Sequence, residues 1–409
     1  MTAPPLSIQP ASTRPSSIRP VPSFARLGEE NAFAVLARAT ALAAAGRDVV
    51  NLGIGQPDFP TPPHIAEAAI RAIRDGHHGY TPANSILPLR EAVVRRTLET
   101  TGVEVSPDDV MIVPGGKPTM FAAIAMLGEP GAEIMYPDPG FPIYRSMIEW
   151  TGARPVPVPV REENGFAFSG EEAASLLSER TRLVILNSPA NPTGGVTPRA
   201  EIARLVDALE RYPRAAVLSD EIYDVMTYDG ETATSLLTFP QVRDRLIVLN
   251  GWSKTWAMTG WRMGWSVWPP ALIDAARKLA VNAWSCVNAP TQWAGIAAID
   301  GPQDAVHAMM SAFDRRRRLV VDGLNALPGV SCAVPKGAFY AFPNVQATGW
   351  KAKALASALL EREAVALIGG PDFGRLGEGY VRLSYAASED RIEEGLRRMG
   401  RFLAQTEPV

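Results

Sequence analysis

The chain has 409 residues, with 40 Lys and Arg against 43 Asp and Glu, so its formal net charge at pH 7 is −3. This near balance argues against a protein that binds nucleic acid or an anionic membrane. Cys286 and Cys332 are far apart and the four histidines have no metal-binding spacing, which argues against a disulfide framework and a metal centre. The sequence therefore predicts a cytoplasmic protein with one large domain and a smaller one.

The N-terminal 22 residues are rich in proline and contain no apolar core. They therefore do not form a signal peptide, and residues 1–23 are predicted to be a disordered arm. Further along the chain, no apolar run reaches the roughly 18 residues that a membrane span needs. The sequence thus predicts no membrane partner.

Short β-branched runs alternate with helical patterns between residues 110 and 270. The predicted strands are Val110–Val113, Glu133–Tyr136, Arg182–Leu186, Ala215–Leu218 and Leu246–Leu249. The predicted helices include Pro118–Leu127, Glu201–Arg211, Leu272–Asn282 and Ala305–Leu327. Such alternation predicts an α/β domain with a buried parallel sheet.

The C-terminal third of the chain has a different pattern. Ser331–Phe342 and Tyr380–Tyr385 are predicted to be strand-like, and a helix with an acidic first turn is predicted after Ser388. The four consecutive arginines Arg315–Arg318 are predicted to lie on a solvated helix face with at most one guanidinium pointing inward. Together these features predict a separate α+β domain.

Four predicted strands of the α/β region end in polar or glycine-rich segments. The segments are Gly115–Lys117, Asn187–Gly195, Ser219–Tyr223 and Gly251–Arg262. Because α/β sheets collect their ligand groups at the carboxyl ends of strands, these segments predict a shared ligand site. Taken singly each has an ordinary structural explanation, such as a turn before a helix or a strand-end cap.

Three well-known motifs are incomplete in this chain. The segment Gly115–Lys117 is not part of a phosphate-binding GxxxxGK[ST] loop, and Gly53-Ile54-Gly55 lacks the third glycine of GxGxxG and follows chain predicted to be helical. Gly251-Trp252-Ser253 is not followed by the glycine of a GxSxG nucleophile elbow. The sequence therefore favours neither a nucleotide-binding protein of these classes nor a serine hydrolase.

The ordered set of motifs is more specific than any one of them: the chain resembles the fold-type-I, class-I aminotransferases that use pyridoxal 5'-phosphate. The resemblance spans about residues 24–405. It rests on Gly55–Phe59, Tyr80–Pro82, Gly115–Lys117, Pro139–Pro142, Asn191–Gly194, Ser219–Tyr223, Ser253–Lys254, Met258–Arg262 and Val381–Ser384. The activity that it implies is transfer of the amino group of an L-amino acid to a 2-oxo acid.

The resemblance also implies the architecture. A large domain with a mixed, mostly parallel sheet flanked by helices, residues 61–305, is expected to hold the cofactor. Residues 306–409 are expected to form a smaller α+β domain. The segment 24–60 is expected to contribute to the small domain and to a subunit interface.

Four residues match those that hold the reactive part of the cofactor. Lys254 matches the lysine that binds it covalently and later moves the Cα proton of the substrate. Asp220 matches the carboxylate that keeps the pyridine nitrogen protonated, and Tyr223 and Asn191 match the partners of the ring oxygen. The resemblance therefore implies that Lys254, Asp220 and Tyr223 are catalytic.

Further residues match those that hold the phosphate and the ring. The expected phosphate cradle is the backbone of Gly115, Gly116 and Lys117, the hydroxyl of Ser253 and the guanidinium of Arg262. Phe141 is expected to stack on the pyridine ring. Tyr80 is expected to reach the phosphate of the neighbouring subunit, which implies a homodimer with shared sites.

Three residues are expected to bind the substrate. Arg382 matches the arginine that receives the α-carboxylate with two parallel hydrogen bonds, and Gly55 and Asn191 are expected beside that carboxylate. The loop Asn282–Asn288 lacks the arginine that one dicarboxylate-specific subgroup carries there. Trp284 in this loop has two open interpretations, an entrance for apolar or aromatic side chains and packing at the interface.

Two other functions remain as alternatives. A lyase, synthase or oxidase that uses pyridoxal phosphate would keep Lys254, Asp220 and Arg382, so the sequence separates it poorly from an aminotransferase. A transcriptional regulator built on this fold would carry a DNA-binding domain ahead of Phe24, and only a short predicted arm precedes that residue. An aminotransferase is the function that we predict.

Overall fold

The computed structural model describes residues 18–405, so most of the predicted N-terminal arm, residues 1–17, lies outside the described residues. The strands are β1 Val50–Asn51, β2 Val110–Val113, β3 Glu133–Asp138, β4 Arg154–Pro159, β5 Thr181–Asn187, β6 Ala216–Asp220, β7 Leu246–Gly251, β8 Gly264–Val267, β9 Tyr340–Ala341, β10 Val365–Ala366, β11 Ile368–Gly369 and β12 Val381–Ser384. The helices are α1 Asn31–Ala44, α2 Pro63–Arg74, α3 Leu87–Thr101, α4 Lys117–Leu127, α5 Pro142–Thr151, α6 Gly170–Ser175, α7 Arg199–Leu209, α8 Trp252–Thr255, α9 Pro270–Ala283, α10 Ala289–Asp300, α11 Asp304–Asn325, α12 Ala352–Ala358 and α13 Glu389–Gln405.

A seven-stranded sheet dominates the fold, in the order β2-β8-β7-β6-β5-β3-β4. Strand β8 runs antiparallel to both of its neighbours, β2 and β7, and the pairings from β7 to β4 are all parallel. The five strands predicted from sequence are all present, each within two residues of its predicted ends. The prediction of an α/β fold with a mixed, mostly parallel sheet is therefore confirmed.

Two strands of this sheet were not predicted, β4 and β8. The sequence of β4, RPVPVP, alternates proline with other residues, a pattern that is incompatible with a central strand because proline donates no hydrogen bond. The structure places β4 at the edge of the sheet, paired only with β3. An edge position tolerates proline because one side of the strand needs no partner.

The sheet is covered on both faces by apolar cores. In β5, Val184 and Leu186 belong to one core, and Leu183 and Ile185 belong to the other. Side chains alternate between the faces of a strand, so a run of four apolar residues fills both cores at once. This double burial explains why the strands that carry the site are continuous apolar runs.

The C-terminal part has its own small sheets and its own apolar core. Strands β11, β12 and β9 form an antiparallel sheet, and β1 pairs in parallel with β10. The last helix, α13, buries Ile392, Leu396 and Met399 against this core, as its periodicity predicts. Through β1 the N-terminal segment joins the C-terminal sheets, while the predicted domain bounds themselves stay a prediction.

The chain before Gly53 was predicted to be helical, and this is wrong. The helix α1 ends at Ala44, and the two-residue strand β1 immediately precedes Leu52. The backbone N–H of Leu52 donates to the carbonyl oxygen of Ala366, which extends the pairing with β10. The segment 53–55 is therefore anchored to the C-terminal part rather than to a helix.

The strand predicted at 331–342 is mostly a different structure. Only β9 is a strand, because the N–H groups of Lys336 and Gly337 both bind the carbonyl oxygen of Gly194, at 2.9 and 2.8 Å. Gly194 has a φ of +72°, and a Cβ there would lie 2.6 Å from the Cβ of Pro335. The segment thus packs against the turn that carries Asn191, where only glycine fits.

The arginine run on α11 was predicted to have at most one inward guanidinium, and the structure has two. Arg316 binds Asp58 with two hydrogen bonds of 2.7 and 3.0 Å. Arg317 is fully buried and binds both Asp229 and Asp314. Their burial is possible because each charge meets a carboxylate supplied by the fold.

Candidate active site

A cavity of about 470 Å³ opens at the carboxyl ends of β5, β6 and β7. Its walls come from the large sheet, from the N-terminal segment and from the small C-terminal sheet. Among the residues predicted for the site, those that line it are Gly55, Gly116, Lys117, Phe141, Asn191, Asp220, Tyr223, Ser253, Lys254, Arg262 and Arg382. Residues that are separated by up to several hundred positions thus meet in one cavity.

Lys254 lies on the four-residue helix α8, which begins directly after β7. Trp252 anchors this helix, since it is buried and its Nε1 donates to the carbonyl oxygen of Gly295 at 3.0 Å. The Lys254 ammonium points the other way and donates to the carbonyl oxygen of Gly55 at 2.5 Å. Burial, together with the smaller effect of the Arg382 charge, lowers the pKa of Lys254 to about 8. The amine can therefore lose its proton near neutral pH.

Asp220 ends β6 and is buried, with 3% of its surface exposed. Its Oδ2 accepts a hydrogen bond from the hydroxyl of Tyr144 at 2.5 Å. Burial raises the pKa of this carboxyl to about 6, against the opposing effects of the Tyr144 hydrogen bond and the Lys254 charge. A cationic partner in the cavity would favour the carboxylate form.

Asn187 holds the turn that carries Asn191. As the last residue of β5 it lies opposite Asp220, and its Nδ2 donates to the backbone oxygen of Asp220 at 3.0 Å. Its Oδ1 accepts from the backbone N–H of Asn191 at 2.9 Å. The two strand ends and the turn therefore form one connected unit.

Two buried tyrosines, Tyr223 and Tyr340, contact each other in the wall of the cavity. Their hydroxyl oxygens are 2.9 Å apart, and burial raises the pKa of both phenols. Gly55 lies against the second of them, since a Cβ on Gly55 would overlap the Tyr340 hydroxyl. A residue larger than glycine at position 55 would therefore displace Tyr340 from the cavity wall.

Arg382 lies on β12 and is 3% exposed. Its Nη1 donates to Oδ1 of Asn191 at 2.9 Å, and its Nη2 donates to the carbonyl oxygen of Gly53 at 2.6 Å. Its Nε is buried without a hydrogen-bond partner among the described residues. The guanidinium carbon lies 4.7 Å from the ring centres of both Tyr340 and Phe373. This buried planar cation has no carboxylate partner in its hydrogen bonds, which suits it to a carboxylate ligand.

An anion cradle lies at the start of α4. Gly115 has a φ of +83°, and a Cβ there would overlap the guanidinium of Arg262. Arg262 is held by a hydrogen bond of 2.7 Å from its Nη1 to the carbonyl oxygen of Thr259. A cation therefore lies beside the first backbone N–H groups of an 11-residue helix. Such an arrangement attracts a phosphate.

Tyr144, Tyr340 and Glu30 are among the cavity residues that were not predicted from sequence. Glu30 precedes α1, and its Oε2 accepts a hydrogen bond from Nζ of Lys117 at 2.6 Å. Tyr144 lies three positions after Phe141 on α5, and that spacing is the only local sign of its place. The sequence around Tyr340 and around Glu30 contains no motif that marks either as a site residue. Tertiary packing brings both side chains to the cavity.

Tyr80, expected at the subunit interface, and Trp284, for which an interface and a cavity entrance were both open, do not line this cavity within one chain. Tyr80 is 95% exposed. Trp284 is partly buried and packs against the apolar core on one face of the large sheet. Its proposed role at the cavity entrance has no support within the single chain, and the roles of both residues at an interface stay predictions.

The donor set fits a phosphorylated aromatic aldehyde. A buried amine, a buried carboxylate and an anion cradle surround the same space, supplied by Lys254, Asp220 and the Gly115–Arg262 pair. Phe141 adds an aromatic ring to the wall. By contrast, no group of three or more acidic, histidine or cysteine side chains able to hold a metal ion occurs in residues 18–405.

Comparisons with known proteins agree with this donor set. The family model described as aminotransferase class I and II matches residues 47–399. An aspartate aminotransferase of Streptomyces avermitilis is 38% identical over 409 residues, which cover 97% of this chain and 99% of the relative. The match thus extends over nearly the whole of both chains.

Solved structures extend the agreement to the fold. The aspartate aminotransferase of Rhizobium meliloti matches with a TM-score of 0.90 at 33% identity, covering 95% of this chain and 100% of the other. An aromatic aminotransferase of Pyrococcus horikoshii matches with a TM-score of 0.85 at 35% identity, covering 90% of this chain and 99% of the other. The chain therefore belongs to the class I and II aminotransferases, enzymes that depend on pyridoxal phosphate.

Proposed function

We propose that this aminotransferase carries out its reaction in the cavity at the carboxyl ends of β5, β6 and β7. The observation that carries the proposal is that Lys254 and Arg382 line the same cavity. One is a buried amine whose pKa is about 8, and the other is a buried guanidinium with an unpartnered Nε. An α-amino acid needs both, a proton acceptor near its α-carbon and a cation for its carboxylate.

Lys254 would hold the cofactor, and its amine would take the proton from the α-carbon of the substrate. When bound, pyridoxal phosphate supplies an electron sink that stabilises negative charge on that carbon. The lowered pKa of Lys254 supports the proton transfer, because a base works best when its pKa lies near the working pH. The same amine would then give up that proton within the site, which returns Lys254 to its unprotonated form.

Asp220 keeps the pyridine nitrogen protonated, and Tyr144 orients its carboxylate. Tyr223 donates a hydrogen bond to the ring oxygen, with its hydroxyl held by Tyr340. Because Oδ1 of Asn191 already accepts from Arg382, its amide nitrogen is the group that donates to the same ring oxygen. Phe141 covers the ring face.

The phosphate binds at the start of α4. Its ligands are the backbone N–H groups of Gly116 and Lys117, the hydroxyl of Ser253 and the guanidinium of Arg262. The backbone N–H of Gly115, expected from sequence to be a further ligand, instead donates to the carbonyl oxygen of Val113 at 2.8 Å. The supporting observation is the close approach of Arg262 to Gly115, which leaves room only for glycine. Charge-assisted contacts of this kind contribute about 1.5–3 kcal/mol each.

Arg382 receives the α-carboxylate of the substrate, beside the backbone of Gly55 and the amide of Asn191. Gly55 belongs to the N-terminal segment and Arg382 to the C-terminal sheet, so the carboxylate would join parts of the chain that flank the large sheet. Binding would thereby close the cavity and exclude water from the reacting carbon. The domain bounds 24–60, 61–305 and 306–409 are proposed on the same grounds.

The function is tested by supplying amino donors and 2-oxo acids in pairs and measuring both products. We expect stoichiometric conversion of donor to 2-oxo acid and of acceptor to amino acid, without oxygen uptake or release of ammonia. A scan should include L-aspartate and L-phenylalanine, because similar proteins are named aspartate and aromatic aminotransferases. Ammonia release or oxygen uptake at the rate of product formation would instead support the lyase or oxidase alternative.

We propose that the active unit is a homodimer in which Tyr80 of one subunit contacts the phosphate of the other. The 95% exposure of Tyr80 in one chain supports this proposal, since an aromatic side chain at a protein surface is available for an interface. Sedimentation at assay concentration should give about twice the chain mass of 44.0 kDa. A fully active monomer would contradict the proposal.

We propose a cytoplasmic location, on the basis of the two cysteines. Both Cys286 and Cys332 are free thiols in the structure. None of the helices within residues 18–405 is long and apolar enough to cross a membrane. Cell fractionation followed by an activity assay tests the location.

A further inference from the structure

One ion pair in the cavity has no role in the proposed function, the pair of Glu30 and Lys117. Nζ of Lys117 lies 2.6 Å from Oε2 of Glu30, and the two side chains are 43% and 18% exposed. Both residues line the cavity. Glu30 precedes α1 and Lys117 begins α4, so the pair bridges the N-terminal segment and the large sheet region.

Four cationic side chains line the cavity: Lys117, Lys254, Arg262 and Arg382. Under the proposed function the last three hold the cofactor, its phosphate and the α-carboxylate of the substrate. Lys117 is then the remaining cation that could attract a second carboxylate on the substrate. Its ammonium is already neutralised by Glu30, so the described residues of this chain that line the remaining space offer a dicarboxylate no uncompensated positive charge.

The surroundings of Lys117 are aromatic. Its Nζ lies 5.4 Å from the ring centre of Phe33 and 5.6 Å from that of Phe141. Both rings line the cavity together with Ile54. The ammonium is therefore engaged by Glu30 and by two ring faces, and the wall that it shares with them is largely apolar.

Resting on the proposed function, we propose that Glu30 determines the substrate class of this enzyme. By neutralising Lys117, Glu30 makes the cavity accept amino acids with uncharged, apolar or aromatic side chains and reject L-aspartate and L-glutamate. A substrate with a second carboxylate would have to displace Glu30 from Lys117 and would meet its negative charge. An apolar side chain disturbs neither partner and buries surface against Phe33 and Ile54.

The decisive variant is Glu30→Gln, which keeps the size of the side chain and removes its charge. It releases the Lys117 ammonium, so the ratio of kcat/KM for L-aspartate to kcat/KM for L-phenylalanine should rise about tenfold to hundredfold, the range of one charge-assisted contact. Using a ratio cancels any change in cofactor content, since both substrates meet the same enzyme. The matched control is Glu29→Gln, an exposed acid one position earlier, which should leave the ratio unchanged.

A double variant separates the charge effect from a change in structure. In Glu30→Gln combined with Lys117→Gln no released ammonium remains, so the ratio should return towards that of the parent enzyme. Ligand binding supplies a readout without turnover: calorimetry of the holoenzyme should give tighter binding of succinate in Glu30→Gln, by a similar factor. Binding of 3-phenylpropionate, which has one carboxylate, should change little.

Two results would overturn the inference. One is a parent enzyme that prefers L-aspartate to L-phenylalanine, and the other is an unchanged ratio together with unchanged succinate binding in Glu30→Gln. A parent enzyme that forms no 2-oxo acid from any donor would refute the proposed function instead. In that case, comparing succinate binding by the parent protein and by Glu30→Gln still decides whether Glu30 excludes a second carboxylate.

Discussion

Replacing Lys254 with alanine should lower the rate of amino-group transfer by about four orders of magnitude or more. The variant loses the group that holds the cofactor covalently and also the base that moves the Cα proton, and general-base catalysis alone contributes about 10²–10⁴-fold. Single-turnover measurement of 2-oxo acid formation gives the loss directly. Cofactor should still bind, because the phosphate cradle at Gly115 and Arg262 is untouched.

The matched control is Lys278→Ala, a change of an exposed lysine on α9 that should leave the rate unchanged. Borohydride reduction of the parent enzyme should attach the cofactor permanently, and peptide mapping should find the label on Lys254. A label on any other lysine, or a Lys254→Ala variant with parental activity, would refute the assignment of this residue.

Arg382→Lys should lower kcat/KM for amino acids roughly tenfold to several-hundredfold. Lysine keeps the positive charge but loses the planar fork, and each charge-assisted hydrogen bond contributes about 1.5–3 kcal/mol. The loss should be specific to substrates with an α-carboxylate, so a simple amine should react slowly in the parent enzyme and hardly be affected by the change. Steady-state kinetics with both kinds of donor measure the difference.

Arg262→Lys provides the contrasting variant. It alters the guanidinium beside Gly115, so it should weaken cofactor retention first, whereas Arg382→Lys should leave cofactor content nearly unchanged. Dialysis followed by absorbance of the bound cofactor separates the two. Arg211→Lys, at an exposed position, should behave like the parent enzyme in both assays. Loss of cofactor from Arg382→Lys would show that the two arginines have been assigned the wrong ligands.

Five strands of the large sheet and the polar segments at their ends could be predicted from local sequence. A sheet strand that is buried on both faces is a short apolar run, so β2, β3, β5, β6 and β7 are recognisable without knowledge of their neighbours. The loops at their carboxyl ends necessarily lie along one edge of the sheet. This is why side chains such as Asp220 and Lys254 could be expected in one site before their contacts were known.

Secondary structure predicted from local composition was wrong where residues distant in sequence supplied the hydrogen-bond partners. Residues 331–342 have the composition of a strand, but the turn at Gly194 takes the backbone hydrogen bonds that a strand would need. Strand β4 has the composition of a loop, yet an edge position accommodates its prolines. In both cases hydrogen-bond partners that are distant in sequence decided the conformation.

The sequence by itself determined the α/β class, the family and the residues at the strand ends, because these depend on local patterns and on the order of the motifs along the chain. Only the tertiary structure decided which partners those residues have. Tyr144 meets Asp220 across 76 positions, Glu30 meets Lys117 across 87, and Tyr340 meets Tyr223 across 117. No local periodicity encodes such contacts, since they form when separate strands and helices pack around one cavity and bury polar groups that must then find partners.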